Sequence, residues 1–186
     1  MNKISPRKVP DRDSKYMGMA WIAASFSKDP ATQCGAFIID SNNRPLGSGY
    51  NGPPAAINDD EMDWCRPDPN DPAKLSKYDL VIHSEENAID HSCCQDLTDA
   101  TLYVTAYPCK DCMLLLVKEK IHRVVYTDFK SDGGSILQSS SRQKSEEIAK
   151  KGNVLVEEFD GDLTWVEEWV DKMRQLGLFS KYKKKA

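Results

Sequence analysis

Residues 101–127 read TLYVTAYPCKDCMLLLVKEKIHRVVYT, and this stretch decides the fold. Its opening run, Thr101-Leu102-Tyr103-Val104-Thr105, has the β-branched and aromatic composition of a strand. Over 109–120 the apolar residues Met113, Leu114, Leu116 and Val117 recur at helical spacing. Residues 121–127 read as a second strand. Strand, helix, strand in that order predicts a right-handed crossover between two parallel strands, and so an α/β domain. Ligands of such sheets bind beyond the carboxyl ends of the strands, where Tyr107-Pro108-Cys109 falls.

Cys109 and Cys112 stand three residues apart at the start of the expected helix, so both thiols can face one ion. Upstream, Ile82-His83-Ser84-Glu85-Glu86-Asn87-Ala88-Ile89 supplies an imidazole two residues before a carboxylate. Three ligands, His83, Cys109 and Cys112, leave one position of a tetrahedral zinc open. Structural sites close that position with a fourth side chain, whereas hydrolytic sites keep it for a water whose pKa the metal lowers to about 7. His83 and Glu85 would not share a helix face, so Glu85 is expected beside the water as a proton shuttle, not on the metal. The order H-x-E then P-C-x-x-C is the signature of zinc-dependent nucleobase deaminases. The bland alternative, a structural zinc or two buried thiols, leaves His83 and Glu85 as coincidence.

Outward from this core, residues 14–27 carry Met17, Ala20, Trp21 and Ala24 at helical spacing before Pro30. Residues 33–40 and 46–50 read as a strand hairpin about the turn Ser41-Asn42-Asn43-Arg44-Pro45. Between 53 and 78 lie five of the ten prolines, with many aspartates. A connection this long is usually functional or disordered, and because it leads into His83 it is expected to wall the site, with Trp64 in the pocket. Residues 84–93 read as a helix that starts at the catalytic motif. After a polar connection over 128–141 come a charged helix over about 142–151, a strand over 154–159 and a last amphipathic helix N-capped by Asp162. Its stripe of Leu163, Val166, Trp169, Val170, Met173 and Leu176 reads as core or subunit interface, and Trp21 and Trp165 as core. His91, Cys93 and Cys94, with Cys65, form a possible second cluster whose better reading is packing or surface, and His122 reads as structural.

A chain of 186 residues fits one domain, with no apolar run long enough for a membrane span and no signal-peptide core at its start. Six unevenly placed cysteines suit metal and a reducing, cytoplasmic setting better than a disulfide scaffold. A net charge of −4 favours a small nucleotide over a nucleic-acid polymer, and the Lys-rich end reads as a solvated tail.

Ser27-Lys28-Asp29-Pro30, Gly49-Tyr50-Asn51-Gly52 with Pro54, His83-x-Glu85-x-Asn87-Ala88-Ile89 and Pro108-Cys109-x-x-Cys112 occur in order. By these motifs, over roughly residues 14–127, the chain resembles deoxycytidylate deaminases of the cytidine deaminase-like superfamily. The resemblance implies a three-layer α/β/α sandwich around a five-stranded mixed sheet, a single domain over 1–186 with flexible ends at 1–12 and 179–186, and Zn2+ as cofactor. It implies hydrolysis of dCMP to dUMP and ammonia in pyrimidine deoxynucleotide metabolism, regulation by dCTP and dTTP, and assembly into homo-oligomers, commonly hexamers. Asn51 would sit at the nucleotide pocket, with Tyr107 and Pro108 as further substrate contacts, and Gly49, Tyr50, Asn51 and Gly52 would lie near an effector site. Two departures stand out. Ser84 replaces the commoner alanine, and the 128–141 connection is longer than the family's, offering Lys130, Arg142 and Lys144 as phosphate partners. A dCTP deaminase is therefore the runner-up. A tRNA adenosine deaminase would need a basic face that this composition lacks, and an inactive nucleotide-binding scaffold would have no use for Glu85.

Overall fold

A computed structural model describes residues 6–127 and 140–181. Asp11 accepts a 2.9 Å hydrogen bond from the Ser14 amide and starts helix α1 (Arg12–Ala24). Strands β1 (Gly35–Ile39) and β2 (Pro45–Tyr50) pair antiparallel as the expected hairpin. Short helices α2 (Lys77–Leu80) and α3 (Ser84–Asp90) follow. The deciding stretch becomes β3 (Thr101–Val104), α4 (Lys110–Lys118) and β4 (Arg123–Tyr126), with β3 and β4 parallel. Helix α5 (Ser140–Gly152) leads to β5 (Leu155–Glu158), and α6 (Thr164–Gln175) and α7 (Leu178–Lys181) end the described chain. The sheet order is β2-β1-β3-β4-β5, antiparallel across β2-β1-β3 and parallel across β3-β4-β5: a five-stranded mixed sheet.

Period-two alternation divides the strands between two cores. Ala36 and Ile38 of β1, Leu102 and Val104 of β3 and Val124 of β4 join Ala88, Met113, Leu116 and Ala149 from α3, α4 and α5 on one face. Ile39, Tyr103 and Val125 meet Tyr16, Met17 and Ala20 of α1 on the other. Helix, sheet, helix is the expected layering. Backbone approach on the α1 side is close enough that a Cβ at Gly35 would lie 2.1 Å from the Ala20 carbonyl, so only glycine fits there.

Several expectations are corrected. Helix α3 stops at Asp90, with His91 as its cap, and does not reach Cys93, because the Cys93 amide turns to the Leu46 carbonyl at 2.8 Å. Asp11 caps α1 and Arg12 opens it, and Phe179 lies in α7. In α6 the N-cap position falls on Leu163, while Asp162 accepts from the Thr164 amide at 2.8 Å. No residue of α6 is fully buried and Trp169 is 40% exposed, so its stripe joins the core only in part; Leu163 and Trp21 pack against the α1-side core while partly buried, and Trp165 is partly buried too. Most of the 128–141 connection, with Lys130, lies outside the described residues, and its last two positions already belong to α5.

Candidate metal centre and its cavity

The three expected ligands come from the starts of two helices. His83 is the N-cap residue of α3 and Cys109 that of α4, with Cys112 inside the first turn of α4. Cys109 Sγ accepts from the Cys112 amide at 3.5 Å, a position where the positive end of a helix favours thiolate. His83 Nδ1 lies 3.2 Å from Cys112 Sγ and 3.6 Å from Cys109 Sγ. One ligand atom from each of the three residues lies within 4.8 Å of the others, the spacing of donors around a shared ion, and among the described residues no other His, Cys or carboxylate group gathers this way. His91, Cys65, Cys93 and Cys94 therefore form no second metal cluster there. An imidazole and two thiols are a zinc donor set, and the residues fit that metal.

These groups shift one another's affinity for protons. The Cys109 thiol is drawn down to about 4, chiefly by the Cys112 hydrogen bond and then by His83. Cys112 is pushed far up by the same Cys109 contact and by burial, and His83 is raised to about 9 by its contact with Cys109. Glu85 is 5% exposed, and burial raises its carboxyl above the usual range. Ser84 Oγ donates to Glu85 Oε2 at 2.9 Å, so the Ser84 departure is more than a change of size: alanine could not make this bond.

A cavity of about 290 Å³ opens in front of this group. Glu85, His83, Cys109, Tyr107 and Val81 line it, and Asn51, Asp29 and Lys77 complete its wall. Asn51 is buried; its side chain accepts from the Cys34 amide at 2.7 Å and donates to the Thr32 carbonyl at 2.9 Å, fixing that wall. Pro108 is fully buried and does not line the cavity; its carbonyl accepts from Ser145.

Sequence reasoning missed the Asp29–Lys77 ion pair. Lys77 Nζ donates to both Asp29 carboxylate oxygens at 2.9 and 3.0 Å, with both side chains at most 5% exposed. Asp29 also accepts from the Ala31 and Thr32 amides. The sequence signal was the Asp29-Pro30 turn inside the quoted Ser27-Lys28-Asp29-Pro30 motif, but nothing local names a partner 48 residues away.

The long polar insertion is held at its neck by a two-hydrogen-bond bridge between Gly52 and Ile82. Its last residues, Lys77 and Tyr78, do reach the cavity wall. Trp64 instead lines a neighbouring space of about 250 Å³ with Lys28, Tyr50, Gly52, Asn87 and His91. Gly49 has a steric reason to be glycine, since a Cβ there would lie 2.3 Å from the Ala88 amide of α3. Arg142 is buried against aromatic rings and does not line the cavity, which removes it as a phosphate partner there; Lys144 is exposed on α5.

An open three-ligand zinc site beside a buried carboxyl, at the carboxyl ends of a mixed sheet, defines a zinc-dependent hydrolase. Residues 10–128 match the family model of the cytidine and deoxycytidylate deaminase zinc-binding region, and the chain belongs to that family. It is 36% identical over 130 residues to a deoxycytidylate deaminase of Homo sapiens, covering 68% of this chain and 71% of that protein. A probable deoxycytidylate deaminase of Caenorhabditis elegans is 35% identical over 117 residues, covering 63% of this chain but 57% of its own length. The crystal structure of the dCMP deaminase from the cyanophage S-TIM5 in complex with dCMP and dUMP superposes with a TM-score of 0.59 over 82% of this chain and all of that one, at 20% identity, a likeness of fold.

Proposed function

We propose that the chain hydrolyses dCMP to dUMP and ammonia. The observation that carries this is the buried Glu85 carboxyl beside a three-ligand metal set at the end of a nucleotide-sized cavity. Bound at His83, Cys109 and Cys112, zinc would bring water to a pKa of about 7 and so supply the nucleophile for C4 of the pyrimidine. Glu85 takes a proton from the attacking water and gives it to N3 as the C4–O bond forms; it then takes the remaining proton of the C4 hydroxyl and passes it to the amino group, so that the C4–N bond breaks, ammonia leaves and the C4 carbonyl forms. Its burial, which raises the carboxyl above its ordinary value, suits a group that must hold a proton between the two steps. Tyr107 and Val81 offer the ring an apolar surface, while Asn51 holds the Thr32-Cys34 backbone in place.

Regulation by dCTP and dTTP is supported by the neighbouring space, which shares Asn51 with the catalytic cavity and is lined by Tyr50, Gly52, Trp64 and Lys28. Homo-oligomers, hexamers by family resemblance, are supported by the exposed apolar residues Ile22, Phe26 and Tyr50. Among the described residues no helix is long and apolar enough to cross a membrane, and the free thiols fit a reducing cytoplasm. The dCTP reading is weakened by the burial of Arg142.

Incubating the purified protein with dCMP, dCTP, deoxycytidine and a tRNA anticodon stem, and measuring ammonia, tests the reading. Release from dCMP well above the rest is expected. Silence on dCMP, or faster release from any of the others, contradicts it.

A further inference from the structure

We infer that Arg142 is a positioning residue for the active site, holding through Tyr107 the turn that carries the metal ligand Cys109. Helix α5 lies beyond the matched family region, yet its first turns grip that turn at successive residues. The Arg142 guanidinium carbon sits 3.3 Å from the centroid of the Tyr107 ring, face on. Its Nε donates to Glu146 at 2.9 Å, one helical turn on, and its Nη2 donates to the Tyr126 hydroxyl at 3.1 Å. Tyr126 in turn meets Tyr107 edge to face at 4.8 Å between centroids. One residue further along the turn, the buried Ser145 hydroxyl donates to the Pro108 carbonyl at 2.8 Å. The Tyr107 ring is therefore held by a cation and by another ring, and it also lines the catalytic cavity.

A guanidinium held this way is desolvated and cannot rotate without losing three partners, so it fixes the ring plane more firmly than an aliphatic contact would. Tyr107 is a wall for the substrate ring in the function proposed above, so the inference rests on that reading. A shift of about 1 Å in such a wall changes substrate placement far more than it changes folding.

The test compares Arg142→Met, which keeps the stem and removes the fork, with Arg142→Lys and the milder Tyr126→Phe. Steady-state deamination of dCMP, the dissociation constant for dUMP, zinc content and thermal melting are measured for each. Arg142→Met is expected to raise KM for dCMP and the dUMP dissociation constant about tenfold, with zinc retained and a smaller fall in kcat. Arg142→Lys should recover part of the loss, and Tyr126→Phe should show the same KM-weighted pattern at about two- to threefold. If Arg142→Met fails to fold, Tyr126→Phe alone decides. Unchanged KM and dUMP affinity in the folded variants, with only melting lowered, would overturn the inference and leave Arg142 a stability residue. A wild-type protein that does not deaminate dCMP would instead overturn the proposed function.

Discussion

Two sets of residues wall the catalytic cavity, and they are built on different principles. The first wall has His83, Glu85 and Cys109 at the first turns of α3 and α4, with Cys112 as the further metal donor, each pair only two or three residues apart in sequence. The second has Asp29, Asn51 and Lys77, which come from connections and are held by bonds spanning 17 to 48 residues. The first wall carries the proposed chemistry, and the second carries much of the tertiary tie that keeps the insertion docked. Removing a residue should therefore cost turnover on one side and folding stability on the other.

The sharpest way to break that contrast is Glu85→Ala. Turnover of dCMP should fall by about 10²- to 10⁴-fold, the usual range for a lost general acid-base, while zinc content and melting stay near wild type. A variant still deaminating at near wild-type rate would remove Glu85 from the mechanism. Lys77→Met, in the second wall, leaves Asp29 buried without its cation and should cost about 3–5 kcal/mol in denaturant unfolding. If Lys77→Met is as stable as wild type, the second wall does not depend on that pair.

A third comparison sets a partly buried ion pair far from the site against both walls. Arg123 donates to the Asp13 carboxylate at 2.7 and 3.0 Å, and this bond above all holds the Asp13 pKa below its ordinary value. A depressed carboxyl stabilises the fold above its unfolded pKa of about 3.9, and the contribution disappears as pH falls through the folded value. Both side chains keep some solvent contact, so about 1 kcal/mol is expected. Asp13→Asn should cost about that much at pH 7 and progressively less below about pH 4, so that the variant and wild-type stability-pH curves converge in acid. The smallest effect belongs to α6: Trp169→Gln should alter stability by about 0.5 kcal/mol or less, since the ring is 40% exposed. A large loss would show that the stripe is covered in solution.

How far the sequence could be read follows the same division. The β3-α4-β4 unit was legible because its strand and helix periods change sharply at Ala106 and Lys120, and the metal wall because its ligands keep fixed local spacings. Asp29–Lys77 was not, since a lysine in a Pro- and Asp-rich connection looks like solvated surface until the chain returns it to Asp29. Arg142 looked like an anion ligand for the same reason: a charge pattern does not say that two tyrosines wait beneath it. For α6 the amphipathic period located an apolar face correctly but could not say how much of it the domain covers. Ser84 looked like a small filler, and only its neighbour's burial turns its hydroxyl into a partner for Glu85.

Everything depends on His83, Cys109 and Cys112 sharing one ion. Metal analysis of the purified, active protein beside Cys112→Ser addresses this directly. One zinc per chain in the wild type, and less than about a tenth of that in the variant together with lost turnover, is the predicted result. Wild-type protein that deaminates dCMP without stoichiometric metal, or a Cys112→Ser protein that keeps its full zinc, would contradict it.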